Sequence, residues 1–506
     1  MPSTTTRPRD RLHSLLGASP PPVFLGRWVF LRLLGCVYLA AFWSLGVQIR
    51  GLIGQNGILP VARFLEAVQA AGAAWQVPTF CWINSSDPFL VGLCVAGAVL
   101  AVALIAGVAP VPFLVFLWAD YLSLTVAGQT FLGFQWDALL LETGFLAIFF
   151  APGGLWPRLG QESAPSRVVL WLLRLLLFKL MFLSGVVKLW TNDPTWMGLT
   201  ALHYHYETQP LPIWTSWWMQ QAPLWFHKLS VIVTFIVELF LPLLIFGPRV
   251  CRVLAFVGIG SLQLLIAATG NYGFFNLLTV ALCLPLLDDR MFPARWRARL
   301  YREASSAAAP PRRRLRPWIS GALAAVVLFV FIMHVVVARG ASRPPVPRPI
   351  LKVYAFLDSF RSVNTYGLFA NMTTRRPEII IEGSDDRTTW LPYEFKWKPG
   401  DVQRRPRFTG FHMPRLDWQL WFAALDGDIR RAPWVGNFLI RLLQGSPQVL
   451  DLLGHNPFPD RPPRYVRAML YDYHFTDWPT RGATGAWWRR ELIGPFGRPI
   501  ALESRQ

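Results

Sequence analysis

Apolar runs recur along the first two-thirds of the chain, near 28–49, 89–109, 111–126, 137–151, 168–190, 224–246, 250–269, 274–287 and 318–338. Crossing about 30 Å of hydrocarbon at about 1.5 Å per residue takes about 20 residues. The first, fifth, sixth and ninth runs meet that length outright. Those at 137–151 and 274–287 are short, and each is read as tilted, re-entrant or buried within a bundle. The pattern predicts an α-helical multi-pass membrane bundle of about nine spans over 27–338.

After Ser342 the pattern changes. Residues 339–350 contain Arg-Pro-Pro-Val-Pro-Arg-Pro, a stiff polyproline-like linker. Leu351–Met372 has the spacing of an amphipathic helix carrying Phe356, Phe360 and Phe369. Glu378–Glu382 and Trp390–Lys396 read as strands around a Gly-Ser-Asp-Asp turn. Leu416–Leu425, Trp434–Leu443 and Pro447–Leu453 read as helices, and Tyr465–Phe475 alternates as a strand. Residues 351–506 thus form a mixed α/β domain with a largely aromatic core.

Charge supplies the orientation. Arg7, Arg9, Arg11, Arg27 and Arg32 put the N-terminus inside, and residues 1–26 read as a disordered basic cytosolic leader. Nine crossings then place Arg158, Arg167, Arg249, Arg252 and the Arg-rich 288–317 loop on the same side. They leave the C-terminal domain on the lumenal or periplasmic side. The chain has 506 residues, of which 53% are hydrophobic and only 15% charged, too few charges for a soluble protein. The net charge of +20 sits largely in loops beside the apolar runs, which points to anionic lipid and not to nucleic acid. Cys36, Cys94, Cys251 and Cys283 fall in apolar runs, Cys81 lies in a loop, and no cysteine follows Cys283. The distal domain therefore has no disulfide framework, redox pair or cysteine-bound zinc.

Ionisable residues within the runs are the first candidates for chemistry, because an unpaired charge in hydrocarbon costs several kcal/mol. Asp120, Asp137, Glu142, Lys179, Lys188 and Glu238 form this candidate intramembrane polar site, with Arg174 and His334 also inside runs. Two readings apply: a polar pocket or relay for a lipid or quinone-like molecule, and structural ion pairs locking the bundle. Lys179 and Lys188 are about two and a half turns apart and do not share one face closely. His203, His205 and Glu207 would share a face on a strand and are weak candidates for a metal; on a helix they diverge. The sequence contains no hydrolase elbow, nucleotide loop or HEXXH motif, so no catalytic residue and no cofactor are assigned.

Several stretches carry a resemblance. They are Leu52-Ile-Gly-Gln-Asn-Gly-Ile-Leu-Pro60, the run 177–189 around Lys179 and Lys188, and Asn271-Tyr-Gly-Phe-Phe-Asn276. In the distal domain they are Ser362-Val-Asn-Thr-Tyr-Gly-Leu-Phe369, Arg376-Pro-Glu-Ile-Ile-Ile-Glu-Gly383, Tyr393-Glu-Phe-Lys-Trp-Lys-Pro-Gly400, Pro414-Arg-Leu-Asp-Trp-Gln-Leu-Trp-Phe422 and Asn456-Pro-Phe-Pro459. In this order they resemble the lipase maturation factor family over residues 27–490. The resemblance implies a membrane protein of the endoplasmic reticulum, or of the inner membrane in a bacterium. It also implies a lumenal C-terminal domain and a role in folding and assembling secreted lipases. A cysteine-free domain would act on such clients by non-covalent binding. The motif residues Asn364, Tyr366, Glu394, Lys396, Trp397, Arg415, Asp417 and Trp418 are the candidates for that contact, and membrane lipids are the other expected partner.

Overall fold

A computed structural model describes residues 23–298, 317–339 and 346–502. The expected leader lies outside them up to residue 22, as do 299–316 of the Arg-rich loop and 340–345 of the linker.

Among the described residues seven helices are long and apolar enough to cross a membrane: α1 (Phe24–Gly46), α2 (Asp87–Ala106), α3 (Pro110–Ala127), α5 (Arg167–Trp190), α7 (Leu224–Leu244), α8 (Arg249–Thr269) and α10 (Pro317–Arg339). The two short runs also form helices, α4 (Gln135–Phe150) and α9 (Phe275–Cys283). Neither is long enough to span on its own. α4 is nonetheless largely buried, Asp137 and Glu142 included. Tyr38 and Phe42 of α1 pack edge to face on Tyr121 of α3. At the basic end of the bundle Asp289 accepts from the backbone of Phe24 and Leu25, tying off the start of α1. Arg27 pairs there with Glu162 at 2.7 Å, and Arg252 with Asp288 at 3.2 Å.

The stretch Leu202–Glu207 is not a strand. It belongs to helix α6 (Ala201–Thr208), where buried Ala201 clusters with Val231 of α7 and buried Tyr206 packs on the His227 ring of the same helix. The amphipathic helix expected over 351–372 is shorter and earlier: α11 runs Arg348–Asp358, and the chain continues without regular structure to Arg376.

The C-terminal sheet is antiparallel, in the order β2-β1-β5-β6. β1 (Pro377–Ser384) pairs with β5 (Tyr465–Phe475) over its whole length, with Ile380 opposite Met469. The predicted strand over Trp390–Lys396 breaks at Tyr393 into β2 (Leu391–Pro392) and β3 (Glu394–Phe395), and β3 pairs away from the main sheet with β4 (Leu453–His455). β6 (Trp488–Pro495) closes the edge. Helices α12 (Arg415–Asp426) and α13 (Pro433–Leu443) pack on β1 and β5. The expected helix over Pro447–Leu453 stops at Leu450. Helix α14 (Trp478–Thr484) carries Trp478 and Arg481 against Trp217 of the bundle.

Candidate functional site

The segment from Ser362 to Met372 has no strand or helix partner, so its backbone groups must be satisfied by side chains. They are satisfied by α4, α5 and the loop after α5. Lys179 Nζ lies 2.6 Å from Glu142 Oε1 and donates to the carbonyl of Asn364 at 3.1 Å. Glu142 Oε2 accepts from the Asn364 amide and the Tyr366 hydroxyl, both at 2.8 Å. Gln135 accepts from Gly367 N at 3.2 Å, and Ser184 Oγ accepts from Leu368 N at 3.3 Å. Lys188 Nζ donates to the Leu368 carbonyl at 3.1 Å and pairs with Glu238 at 2.7 Å. Trp196 and Thr191 donate to the carbonyls of Phe369 and Ala370, and Asp193 accepts from Met372 N. Ser184, Lys188 and Thr191 have i, i+4, i+7 spacing, which puts a polar stripe on one side of an otherwise apolar helix.

Glu238 reaches Lys188 from a π-turn, Ile236–Phe240, within α7. Gly185 makes room for it. A Cβ there would sit 2.7 Å from Leu239 Cδ2 and 3.1 Å from Glu238 Cβ.

A second cluster joins α4 to α12. Arg415 meets Asp137 through two parallel bonds of 2.5 and 2.7 Å, and the Tyr121 hydroxyl donates to the same carboxylate at 2.5 Å. Arg415 and Asp137 are buried, and the planar guanidinium fits a carboxylate in this forked way. Around them Ser44 and Gln48 at the end of α1 bond the backbone of Met413 and Arg415. The Asn271 side chain holds Arg407 O and Thr409 N. Arg441 and Ser446 bond the carbonyls of Gly57 and Asn56. The motifs quoted from the two halves of the chain are therefore largely the two sides of one interface.

Asp137, Glu142, Lys179, Lys188 and Glu238 come together with Asn364, Tyr366 and Arg415, while the other candidates lie elsewhere. Asp120 is buried outside the interface, with one carboxylate oxygen lacking a protein partner. Arg174 bonds the Pro285 carbonyl. Asp417 accepts the amides of Trp397 and Lys398, and so shapes the domain's own interior. Lys396 donates to the Asp451 carbonyl, and Glu394 pairs with Arg404 at 3.3 Å. Trp418 packs against Trp136 and Phe134 of the bundle. Tyr393 and Phe395, which flank Glu394, are buried core.

The helical placement of His203, His205 and Glu207 separates them. The His203 ring packs near His227, and His205 packs on Phe369 with Nε2 3.3 Å from the Tyr272 hydroxyl. Glu207 holds His474 Nδ1 at 2.9 Å and Phe475 N at 2.7 Å. Among the described residues no group of three or more His, Cys, Asp or Glu is placed to hold a metal. Arg376, which sequence reasoning did not single out, is fully buried beside this helix. It donates to the carbonyls of Glu207, Gln209 and Pro210 and to Glu378. Its only sequence signal was its place at the head of a quoted motif.

Burial and the nearby Lys188 push the His205 ring down to about 4. Burial, with Arg415 and Lys396, does the same to His412. His474 moves the other way, raised by its hydrogen bond to Glu207. In the interface both oxygens of Glu142 and both of Asp137 are engaged by protein donors. Chemically this is an arrangement that holds two parts of a chain together.

Comparison with known proteins agrees with the motif order. The model of the lipase maturation factor transmembrane domain matches residues 25–294, and that of the lipase maturation factor C-terminal domain matches 362–498. Lipase maturation factor 2 of Gallus gallus is 36% identical, over 94% of this chain and 81% of its own length. The Homo sapiens form is 34% identical over 94% and 83%. Lipase maturation factor 1 of Mus musculus is 34% identical over 99% and 91%. No solved structure matches the chain. Both domain models match in order, and the relatives are covered over most of their length; the chain belongs to the lipase maturation factor family.

Proposed function

We propose that this protein is a membrane-embedded maturation factor for secreted lipases, acting by non-covalent binding of its clients. The observation that carries the reading is the family likeness across both halves. In this reading the seven long helices cross the membrane, and the two short ones, together with the turns that flank them, complete nine crossings. The N-terminus is then cytosolic and the C-terminal domain faces the lumen of the endoplasmic reticulum, or the periplasm in a bacterial host. The positive-inside distribution of arginine supports that orientation. Asp137, Glu142, Lys179, Lys188, Glu238, Asn364, Tyr366 and Arg415 serve as positioning residues that mount the client-facing domain on the bundle.

The test is complementation. The protein is expressed in animal cells lacking their own lipase maturation factors, together with a dimeric secreted lipase. Active lipase should rise in the medium while total lipase synthesis stays constant. Lipase activity no higher than in the deficient cells, with this protein correctly inserted, would overturn the reading.

A further inference from the structure

The chain leaves the bundle at the end of α10, yet the contacts that follow lead back inward. Asp358, at the end of α11, meets His334 Nε2 at 3.0 Å. His334 lies five residues before the end of α10, about 8 Å along its axis. Tyr354 of α11 packs on the same histidine ring at 5.5 Å. Next, Phe360 stacks on Trp118 at 6.3 Å, and Trp118 lies nine residues, about 14 Å, from the Ala127 end of α3. Asn364 then meets Lys179, twelve residues or about 18 Å below Thr191 on α5.

From there the chain climbs out again along α5, with Leu368 at Ser184 and Lys188, Ala370 at Thr191 and Met372 at Asp193. Six residues of extended chain reach about 20 Å, which matches the climb from Lys179 to Thr191. Residues 348–372 are thus a hairpin whose tip near Asn364 reaches about half the thickness of a 30 Å hydrocarbon layer.

The two limbs solve the backbone problem differently. The irregular limb, 361–372, is lined by polar side chains of α4 and α5, as non-helical backbone at such depth requires. The helical limb satisfies its own backbone and is free to face lipid. Its outer side carries Ile350, Val353 and Phe356 at i, i+3, i+6, exposed by 39%, 52% and 50%. α10, which α11 packs against, exposes Leu328 and Ile332 in the same way. Lys352 and Arg348 lie at the shallow end, where a cation reaches headgroup phosphate.

We propose that α11 is embedded in the bilayer leaflet on the side of the C-terminal domain, with Val353 and Phe356 against phospholipid acyl chains and Ile350 at the headgroup boundary. The occupant is lipid because the depth of this limb is set by contacts to two spanning helices, and its apolar face continues their own exposed surface.

The experiment uses the full-length protein in phosphatidylcholine vesicles. Val353→Cys and, separately, Phe356→Cys carry an environment-sensitive fluorophore, with the wild type labelled identically as background. Arg430→Cys, on an exposed side chain of the C-terminal domain, is the control. Lipid brominated at mid-chain should quench positions 353 and 356 by about half or more, and aqueous iodide should leave them unchanged. The control should respond to iodide alone. Quenching of both test positions by iodide and not by brominated lipid would overturn the proposal, placing α11 in water. Protection from both quenchers would also overturn it, in favour of a second copy or another protein on this face.

Discussion

Two of the junctions that fasten the C-terminal region to the bundle differ in character. Along α5 the partners are Lys179 and Glu142, exposed by 3% and 2%, and each has several bonds to the other or to backbone. Beside α6, where Arg376 is buried against the backbone, the outer charged pair is His474 with Glu207, and His474 keeps 29% of its side chain in solvent. Charges taken fully out of water depend on each other, because removing one leaves the other with a large desolvation cost. A half-exposed pair can fall back on water. The deep junction is therefore where single substitutions should do most harm, and the shallow one is where solution conditions should tune the hold.

The largest expected effect is Lys179→Met. It strands Glu142 and removes a donor from Asn364, and should cost about 3–5 kcal/mol. In detergent this reads as a lower Tm and faster proteolysis between 359 and 375. The double substitution Lys179→Met with Glu142→Leu should recover part of the loss, since it leaves no buried charge. Suppose instead that Lys179→Met kept its Tm and protease resistance but lost lipase maturation. The lysine would then act on something other than its own chain, and the contrast between the junctions would fail.

Arg415→Lys comes next. It keeps the charge beside Asp137 but gives up the fork of two bonds, for an expected loss of about 1–3 kcal/mol. Arg415→Ala should be worse, because Asp137 is fully buried. Equal Tm values for the two variants would mean that bidentate geometry contributes nothing. Gly185→Ala tests the approach of α5 to α7. The new Cβ meets the flexible end of Leu239 but also the Cβ of Glu238, so overpacking should cost about 1–3 kcal/mol and loosen the Lys188–Glu238 pair.

What was legible in the sequence divides along the same physical line. Apolar runs and strand alternation report burial within an element, so α5 and β5 were readable from their own residues. β6 was not, because Trp-Arg-Arg-Glu-Leu-Ile carries its charges on a sheet edge, where water satisfies them. The His-Tyr-His-Tyr-Glu stretch alternates polar and aromatic residues as a strand would, but tertiary packing of Ala201 and Tyr206 makes it helical. The intramembrane charges were visible as costly. Their partners were not, because Glu142 and Asn364 lie far apart in sequence and no local pattern records what they meet. The mistaken helix over 359–372 has the same cause. Phe360 and Phe369 keep a helix-like spacing, yet the backbone between them bonds to side chains of the bundle, and those compete successfully with helical bonds.

The smallest expected effect is the pH response of the shallow junction. The folded pKa of His474 is raised by Glu207 above its ordinary value of about 6.5. Its contribution is then fully present below about pH 6.5 and is lost as pH rises through the higher folded value. Being partly exposed, the pair should contribute under about 1 kcal/mol. His205 and His412 work in the opposite sense. Their folded values lie near 4, so the unfolded chain takes up protons first and stability falls as pH drops below about 6.5. The wild type alone would mix the two trends. The informative quantity is the Tm difference between wild type and His474→Gln, measured from pH 5 to 9 at low salt. It should be largest at the acidic end and shrink towards zero at the alkaline end. A constant difference over that range would mean that His474 holds Glu207 by shape and neutral hydrogen bonding, and that both junctions are insensitive to its charge.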